Sequence, residues 1–226
     1  MTYPLGGHGV TGFTRSTEGY GNVLLLDGIN DYYDLDTPVD ISNNKVWTIG
    51  FDFNCPSFSN ETVFGSITDN LQWVRLTNST TILVRLGSIM YFTVPAMSVN
   101  TWTKCLIASD GTNCKIYLDS VLSATQTSVS TTPAFMGRVG ARALLGNKFG
   151  GMLDNVFMKV GYTADQTDAN NLYNGGNFKD VESVIGATDF YHKLNESGTD
   201  TVAVDSSANN NDGNLTNFTG TYWVAR

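Results

Sequence analysis

The sequence is poor in charge, cysteine, histidine, glutamate and proline, and it has no long apolar run. Of its 226 residues only 15% are charged, against roughly 25% in ordinary globular chains. A balance of 13 basic and 21 acidic residues leaves a net charge of −8 and a pI near 4.5. With no basic run beside it, that balance argues against a nucleic-acid partner. No stretch approaches the roughly 18–20 apolar residues that cross a bilayer, so no membrane insertion is expected. The opening MTYPLGGHGVTGFTRSTEGYGN has neither the basic nor the apolar region of a secretory signal. The chain therefore stays where it is made, leaves by another route, or is a mature fragment.

Three cysteines, Cys55, Cys105 and Cys114, make an odd count, which argues against a disulfide framework. If Asp110-Gly111 is the centre of a hairpin, Cys114 opposes Ile107 and Cys105 opposes Ile116. The two sulfurs are then diagonal, with backbones roughly 7–8 Å apart, too far for an unstrained bridge. All three are read as reduced thiols. Two histidines and no paired-cysteine motif leave no zinc site.

What is present is a vocabulary of strands and turns: 41% hydrophobic residues, 12% aromatic, 23 Gly and abundant Thr, Asn and Ser. Residues 1–20 are Gly- and Thr-rich without apolar period and read as an N-terminal arm. From Asn22 onward, runs of four to eight residues such as VWTIGFDF, TILVRL and CKIYLD alternate as half-buried strands do. One segment, 163–174, reads as a short helix, with Thr163 as its cap and Gly175-Gly176 as its stop. FKDVESVIGA reads as an extended connection, and 189–224 returns to strands. The fold class expected is all-β, an antiparallel sandwich with one short helix.

Several of these segments resemble laminin G-like, concanavalin A-like lectin domains. LLLDGINDYYDL at 24–35 is similar to their opening strand and turn, and VWTIGFDF at 46–53 to a second strong strand. TWTKCLIASDGTNCKIYLDSVL at 101–122 resembles their most recognisable hairpin. FGGMLDNVFMKVGYTADQTDANNLYNGG at 149–176 resembles the closing strand and helix, with Asp154 in place. FYHKLNESGTDTVAVDSSANNNDGNLTN at 190–217 is similar to a unit that often precedes such a domain and here follows it. The resemblance implies a concanavalin A-like jelly roll over 21–226, with 189–224 as strands added to the same sandwich. Two departures stand out: Asp119-Ser120 where the family has Asp-Gly, so that the turn need not adopt positive φ, and Ala208 where it commonly has Gly.

Some proteins of this fold are glucanases, and a retaining glycosidase needs two carboxyls about 5–5.5 Å apart. The four glutamates, Glu18, Glu61, Glu182 and Glu196, form no alternating acid motif, and the aspartates lie mostly beside turn residues. His8 falls in the arm, and His192 reads as a strand residue with a satisfied ring. No active site emerges, and the expectation is a non-enzyme.

Domains resembling this one often carry a structural Ca²⁺. The oxygen-rich loops 27–31 and 205–213 nominate Asp27, Asp205, Asn210 and Asp212, with Asp154 from its strand; the competing reading is that these side chains cap their own turns. For a glycan platform the freer aromatics are Tyr32, Tyr33, Trp73 and Tyr91, whereas Trp47 and Trp102 sit in alternating patterns that point inward. The Asn-x-Ser/Thr sequons at 60, 78, 195, 214 and 217 arise from composition. Low Lys and Glu, abundant Thr, Asn and Gly, and the arm together resemble bacteriophage virion proteins. The functional expectation is a virion-surface decoration or fibre-type protein, homo-oligomeric, binding host glycans and docking other virion proteins through residues 1–20. The alternative is a carbohydrate-binding lectin or accessory module of a secreted bacterial glycoside hydrolase, extracellular or on the bacterial surface.

Overall fold

The computed structural model describes residues 21–42, 45–68, 70–86, 88–127 and 135–226; the arm at 1–20 lies outside the described residues. Two antiparallel sheets face each other. The first, sheet A, runs β10 (Val121–Thr127), β9 (Asn113–Leu118), β8 (Thr103–Asp110), β3 (Val46–Asn54), β12 (Gly150–Val160), β1 (Asn22–Asp27) and β16 (Trp223–Ala225). β13 (Phe190–His192) also pairs with β12, taking Val156–Met158 while β1 takes Gly150–Leu153. Sheet B runs β14 (Val202–Ala203), β15 (Gly213–Thr216), β2 (Tyr32–Asp40), β11 (Phe135–Val139), β4 (Glu61–Gly65), β5 (Gln72–Asn78), β6 (Thr81–Leu86) and β7 (Ser88–Thr93). The strands of 189–224 are thus divided between the two sheets. The main core lies between them, built on Trp47, Phe51, Phe53, Phe64 and Phe190, with Phe51 and Phe64 edge to face at 6.1 Å.

The turns depart from the sequence reading in two places. In the β8–β9 hairpin Ser109 pairs with Cys114 and Cys105 with Leu118. The Asp110 carboxylate accepts from the N–H groups of Thr112 and Asn113 at 2.8 and 2.7 Å. This side-chain cap widens the loop and slips the register by two residues from that of a two-residue turn. Cys105 and Cys114 end up four pair positions apart along the ladder, roughly 13 Å, and all three thiols are buried and free. In the β9–β10 hairpin Leu118 pairs with Val121, and Asp119 and Ser120 both have positive φ, 47° and 70°. The turn therefore keeps the left-handed pair that matches strand twist, although neither residue is glycine. Asp119 holds its place through its carboxylate, which accepts from the Lys104 N–H at 2.8 Å.

Two short helices cover the outer face of sheet A. In α1 (Gln166–Tyr173) the cap is Asp165, whose carboxylate accepts from Thr167 and Asp168 N–H while the Asp168 side chain accepts from Asp165 N–H. This reciprocal box displaces Thr163, whose hydroxyl donates instead to the Ser109 carbonyl. A second helix, α2 (Val181–Ile185), replaces the expected extended connection; Asp180 caps it, and Val181 and Ile185, one turn apart, bury against the sheet. Leu172 joins Leu106, Tyr117, Phe157 and Tyr191 in the same outer cluster. Sheet A is consequently buried on both faces. This is why Thr48, Gly50 and Asp52, which alternate with apolar residues in β3, are buried as well. Gly50 is required there, since a Cβ would fall 2.1 Å from the Phe157 ring.

Beneath the helices Asp52 and Asp154 stand opposite each other on β3 and β12. Lys104 pairs with Asp52 at 2.5 Å, and Arg226 contacts both carboxylates. Asn155 donates to Asp52 at 3.0 Å and accepts from the Tyr191 hydroxyl at 2.8 Å. Arg226 lies over Trp102 at 4.2 Å and over Phe178 at 4.6 Å, so Trp102 flanks this cluster, half-buried, outside the inter-sheet core. Burial raises the Asp154 pKa, and the Arg226 charge opposes that rise.

Elsewhere His192 is fully buried, with its Nε2 2.9 Å from the Asn211 carbonyl and its Nδ1 3.1 Å from the Tyr33 hydroxyl. A carbonyl only accepts, so Nε2 carries the proton and Nδ1 accepts from Tyr33. Burial lowers the His192 pKa.

Two outcomes are expected. Lys104→Met, which leaves Arg226 alone to neutralise Asp52 and Asp154, lowers stability by about 3–5 kcal/mol; in urea unfolding, the Lys104→Met/Asp52→Asn double variant recovers part of the loss. A buried neutral histidine contributes stability that is complete above its unfolded pKa, near 6.5, and is lost as pH falls below it. The melting temperature of His192→Gln is therefore lower than wild type at pH 8, and the gap narrows between about pH 6.5 and 5.

Candidate functional site: the outer face of sheet B

The five candidate calcium ligands fall in three separate places. Asp205 accepts from Tyr191 N–H, Ser207 N–H, Ser207 hydroxyl and Asn211 N–H at 2.6–2.9 Å. Burial would raise its pKa, but these donors outweigh it and hold the carboxyl below its ordinary value. Asp212 accepts from Asp205 N–H at 2.8 Å, and Asn210 occupies a left-handed turn position. Asp154 is held by Arg226 in the buried cluster. Asp27 accepts from the N–H groups of Ile29 and Asn30 at 2.7 and 3.1 Å. Calcium takes six to eight oxygens. Here the carboxylates are committed to protein donors, and among the described residues no three His, Cys, Asp or Glu side chains converge on one point. As arranged, these residues do not fit the ion.

Asp27 also lines a cavity of about 470 Å³ at one end of the sandwich, with Ser57, Ser59, Glu61, Asn147 and Lys148. Glu61 accepts from Gly150 N–H at 2.7 Å; burial raises its pKa against the opposing effect of the Gly150 and Ser59 N–H groups. Asp27 and Glu61 are thus both turned to backbone donors.

The four aromatic candidates all lie on sheet B; Tyr33 points into the inter-sheet core and is fully buried, which removes it, and the register shows which way the other three point. Val74, Leu76, Ile82, Val84, Met90 and Phe92 fill the inter-sheet core, so the residues alternating with them face outward. One outward row crosses seven strands: Asn214, Asp34, Arg138, Gly65, Trp73, Arg85 and Ile89. The neighbouring row holds Thr62, Arg75, Leu83 and Tyr91. Neither α1 nor α2 lies on this face, yet Thr62, Leu83 and Arg138 on it are buried. Tyr91 is 61% exposed. Trp73 is only 2% exposed, lying under the Arg75 guanidinium at 4.2 Å with its indole N–H donated to the Asn70 carbonyl at 3.1 Å. Tyr32 stacks with Arg138 at 4.1 Å, and Arg138 forms a two-pronged pair with Asp34 at 2.6 and 2.7 Å. Tyr32 and Tyr91 are five strand spacings apart, roughly 24 Å, so one small ligand cannot touch both.

The sequence reading passed over the arginines. Four of the six in the chain, Arg75, Arg85, Arg138 and Arg142, gather at this face. The signal was the two-residue spacing of Trp73 to Arg75 and Leu83 to Arg85, which places each pair on one side of its strand. Arg142 arrives from the loop after β11, which crosses directly over Gly65: a Cβ there would sit 2.5 Å from the Ala141 carbonyl and 2.7 Å from Arg142 Cα. The same loop holds Leu144, Leu145 and Asn147 at positive φ, with Leu144 86% exposed. Left-handed backbone costs a non-glycine residue about 1–2 kcal/mol, and such strain tends to gather at functional surfaces.

From the commitment of the acidic side chains, calorimetric titration with Ca²⁺ is expected to show no binding heat, and EDTA to leave the melting temperature unchanged. A rise in melting temperature with Ca²⁺ would show that the folded chain binds the ion and would overturn this expectation.

No family model and no curated protein sequence matches the chain. Solved structures do match. A protein of Bacteroides ovatus ATCC 8483, to which carbohydrate binding has been ascribed, superposes with a TM-score of 0.64 at 18% identity, over 91% of this chain and 62% of its own length. Domain 4 of AbnA, an extracellular arabinanase of Geobacillus stearothermophilus, solved with arabinotriose, gives 0.50 at 14% identity, over 65% and 74%. Domains LG4-5 of the mouse laminin α1 chain give 0.50 at 14% identity, over 66% and 43%. The fold is a laminin G-like, concanavalin A-like jelly roll.

Proposed function

We propose that the chain is a non-catalytic carbohydrate-binding domain and that its ligand lies on the outer face of sheet B. One observation carries this reading: sheet A is covered on its outer face by α1 and α2, whereas the outer side of sheet B carries Tyr32, Trp73 and Tyr91 beside Arg75, Arg85 and Arg138, with Tyr91 61% exposed. Rings offer an apolar plane to the C–H face of a sugar, while fixed N–H donors bind its oxygens in the same layer. The Bacteroides ovatus and arabinanase-domain likenesses support it at the level of fold. Asp27 and Glu61 serve backbone N–H groups, which favours binding over hydrolysis.

The setting we propose is a virion surface, where the domain acts as a decoration or fibre-type protein, homo-oligomeric and docked through residues 1–20. Composition and the Gly-rich arm support this. The second reading, an accessory module of a secreted bacterial glycoside hydrolase, is favoured by the likeness to an arabinanase domain.

A glycan array probed with the whole chain is expected to show saccharide ligands, and Tyr91→Ala to weaken binding by about fivefold or more. An array without hits would remove the lectin reading. Mass spectrometry of purified phage particles then separates the two settings, since the virion assignment requires the chain to be found in them.

A further inference from the structure

Three of the arginines at this face have no carboxylate partner among the described residues. Arg138 is neutralised by Asp34, but no carboxylate among the described residues lies within ion-pair distance of Arg75, Arg85 or Arg142. The Nε atom of each of these three is buried without a hydrogen-bond acceptor. Arg85 reaches only the Asn70 carbonyl, at 3.4 Å. Arg142 folds back on its own loop, its guanidinium occupying the space that a side chain at Gly146 would fill. Arg75 lies near enough to Arg142 for the charges to repel; burial and then that repulsion lower its pKa.

This arrangement is unfavourable in isolation. Guanidinium groups shed water readily, but a buried N–H without an acceptor and two like charges side by side each cost stability. It occurs on a chain whose net charge is −8, in which Lys104, Arg138 and Arg226 each meet a carboxylate. Tyr91, exposed and one strand beyond Arg85, supplies a flat apolar surface at the edge of the group.

We infer that this surface binds an acidic saccharide, with Arg75, Arg85 and Arg142 receiving its carboxylate or sulfate oxygens and Tyr91 stacking on a sugar ring. The inference rests on the carbohydrate-binding reading and narrows it to a ligand class. A planar oxyanion accepts two N–H donors from one guanidinium; here the terminal Nη groups meet it while each Nε stays buried, and its charge screens Arg75 from Arg142.

The test is affinity electrophoresis of the whole chain through gels holding polygalacturonate, the same polymer fully methyl-esterified, dextran, dextran sulfate or polyacrylate. Retardation by polygalacturonate or dextran sulfate is expected, with little by their uncharged counterparts, and the preferred polymer identifies carboxylate or sulfate as the anion. Binding weakens as NaCl rises from about 50 to about 500 mM, because part of the attraction is screened. Arg142→Gln, in a loop outside the sheet ladder, lowers affinity about tenfold or more with the melting temperature preserved, and Arg142→Lys recovers only part, since the ammonium lacks the fork. Equal retardation by the esterified and acidic polymers overturns the inference and leaves the carbohydrate reading standing. Retardation by polyacrylate as strong as by the acidic polysaccharides shows a general anion surface and overturns the saccharide class. If none of the five polymers retards the chain, the inference fails, and the array decides the broader reading separately.

Discussion

Two carboxylates facing each other inside a protein must be neutralised, and the middle of sheet A is organised around that requirement. Asp52 and Asp154 occupy adjacent strands, and the cations that meet them come from far apart in the chain: Lys104 from β8, Arg226 from beyond β16. Their attraction thus ties four strands together across one face. It also fixes what lies above. Phe178 lies over Lys104 and Arg226, and the helices continue the cover on either side. Replacing one member leaves the rest as uncompensated charge in a dry site, which is why such clusters specify an arrangement more strongly than they stabilise it.

The sandwich is asymmetric as a result. One sheet is packed under helices on its outer face, and the other carries on its outer face side chains that pack mainly on one another and on the loop over Gly65. A β-sandwich that sequesters one outer surface under helices leaves the opposite one as its largest regular platform. A twisted sheet sets side chains there at fixed spacing along and across the strands. Position on such a platform is read from register, so a row of seven residues drawn from distant parts of the chain becomes one surface. The loop over Gly65 adds a group that no strand supplies.

Much of the architecture was legible in the residues. Trp47, Ile49, Phe51 and Phe53 declare a strand with an apolar face, and Leu172 with the Gly175-Gly176 stop declares a helix. The failures have physical causes. Thr48, Gly50 and Asp52 look like a wet face because alternation reports contrast in polarity, and only the tertiary fold says that helices cover them. α2 is five residues long, too short for a periodic signal to stand out from an extended stretch. The positive φ at Asp119 and Ser120 was masked because a carboxylate clamp to Lys104 replaces the freedom that glycine would give. At the candidate site Trp73 was visible, but its burial under Arg75 was not. The meaning of the arginines depended on pairings across strands that no local pattern encodes.

The three cysteines carry a last consequence. Each thiol is buried in the inter-sheet core, and burial pushes the pKa of each upward. The reactive form of sulfur, the thiolate, is therefore almost unpopulated at neutral pH, and oxidants and disulfides have no path to it. Nor does the hairpin register let Cys105 meet Cys114. The domain's stability is accordingly indifferent to the redox state of its surroundings: it is the same object in a reducing compartment and in an oxidising one.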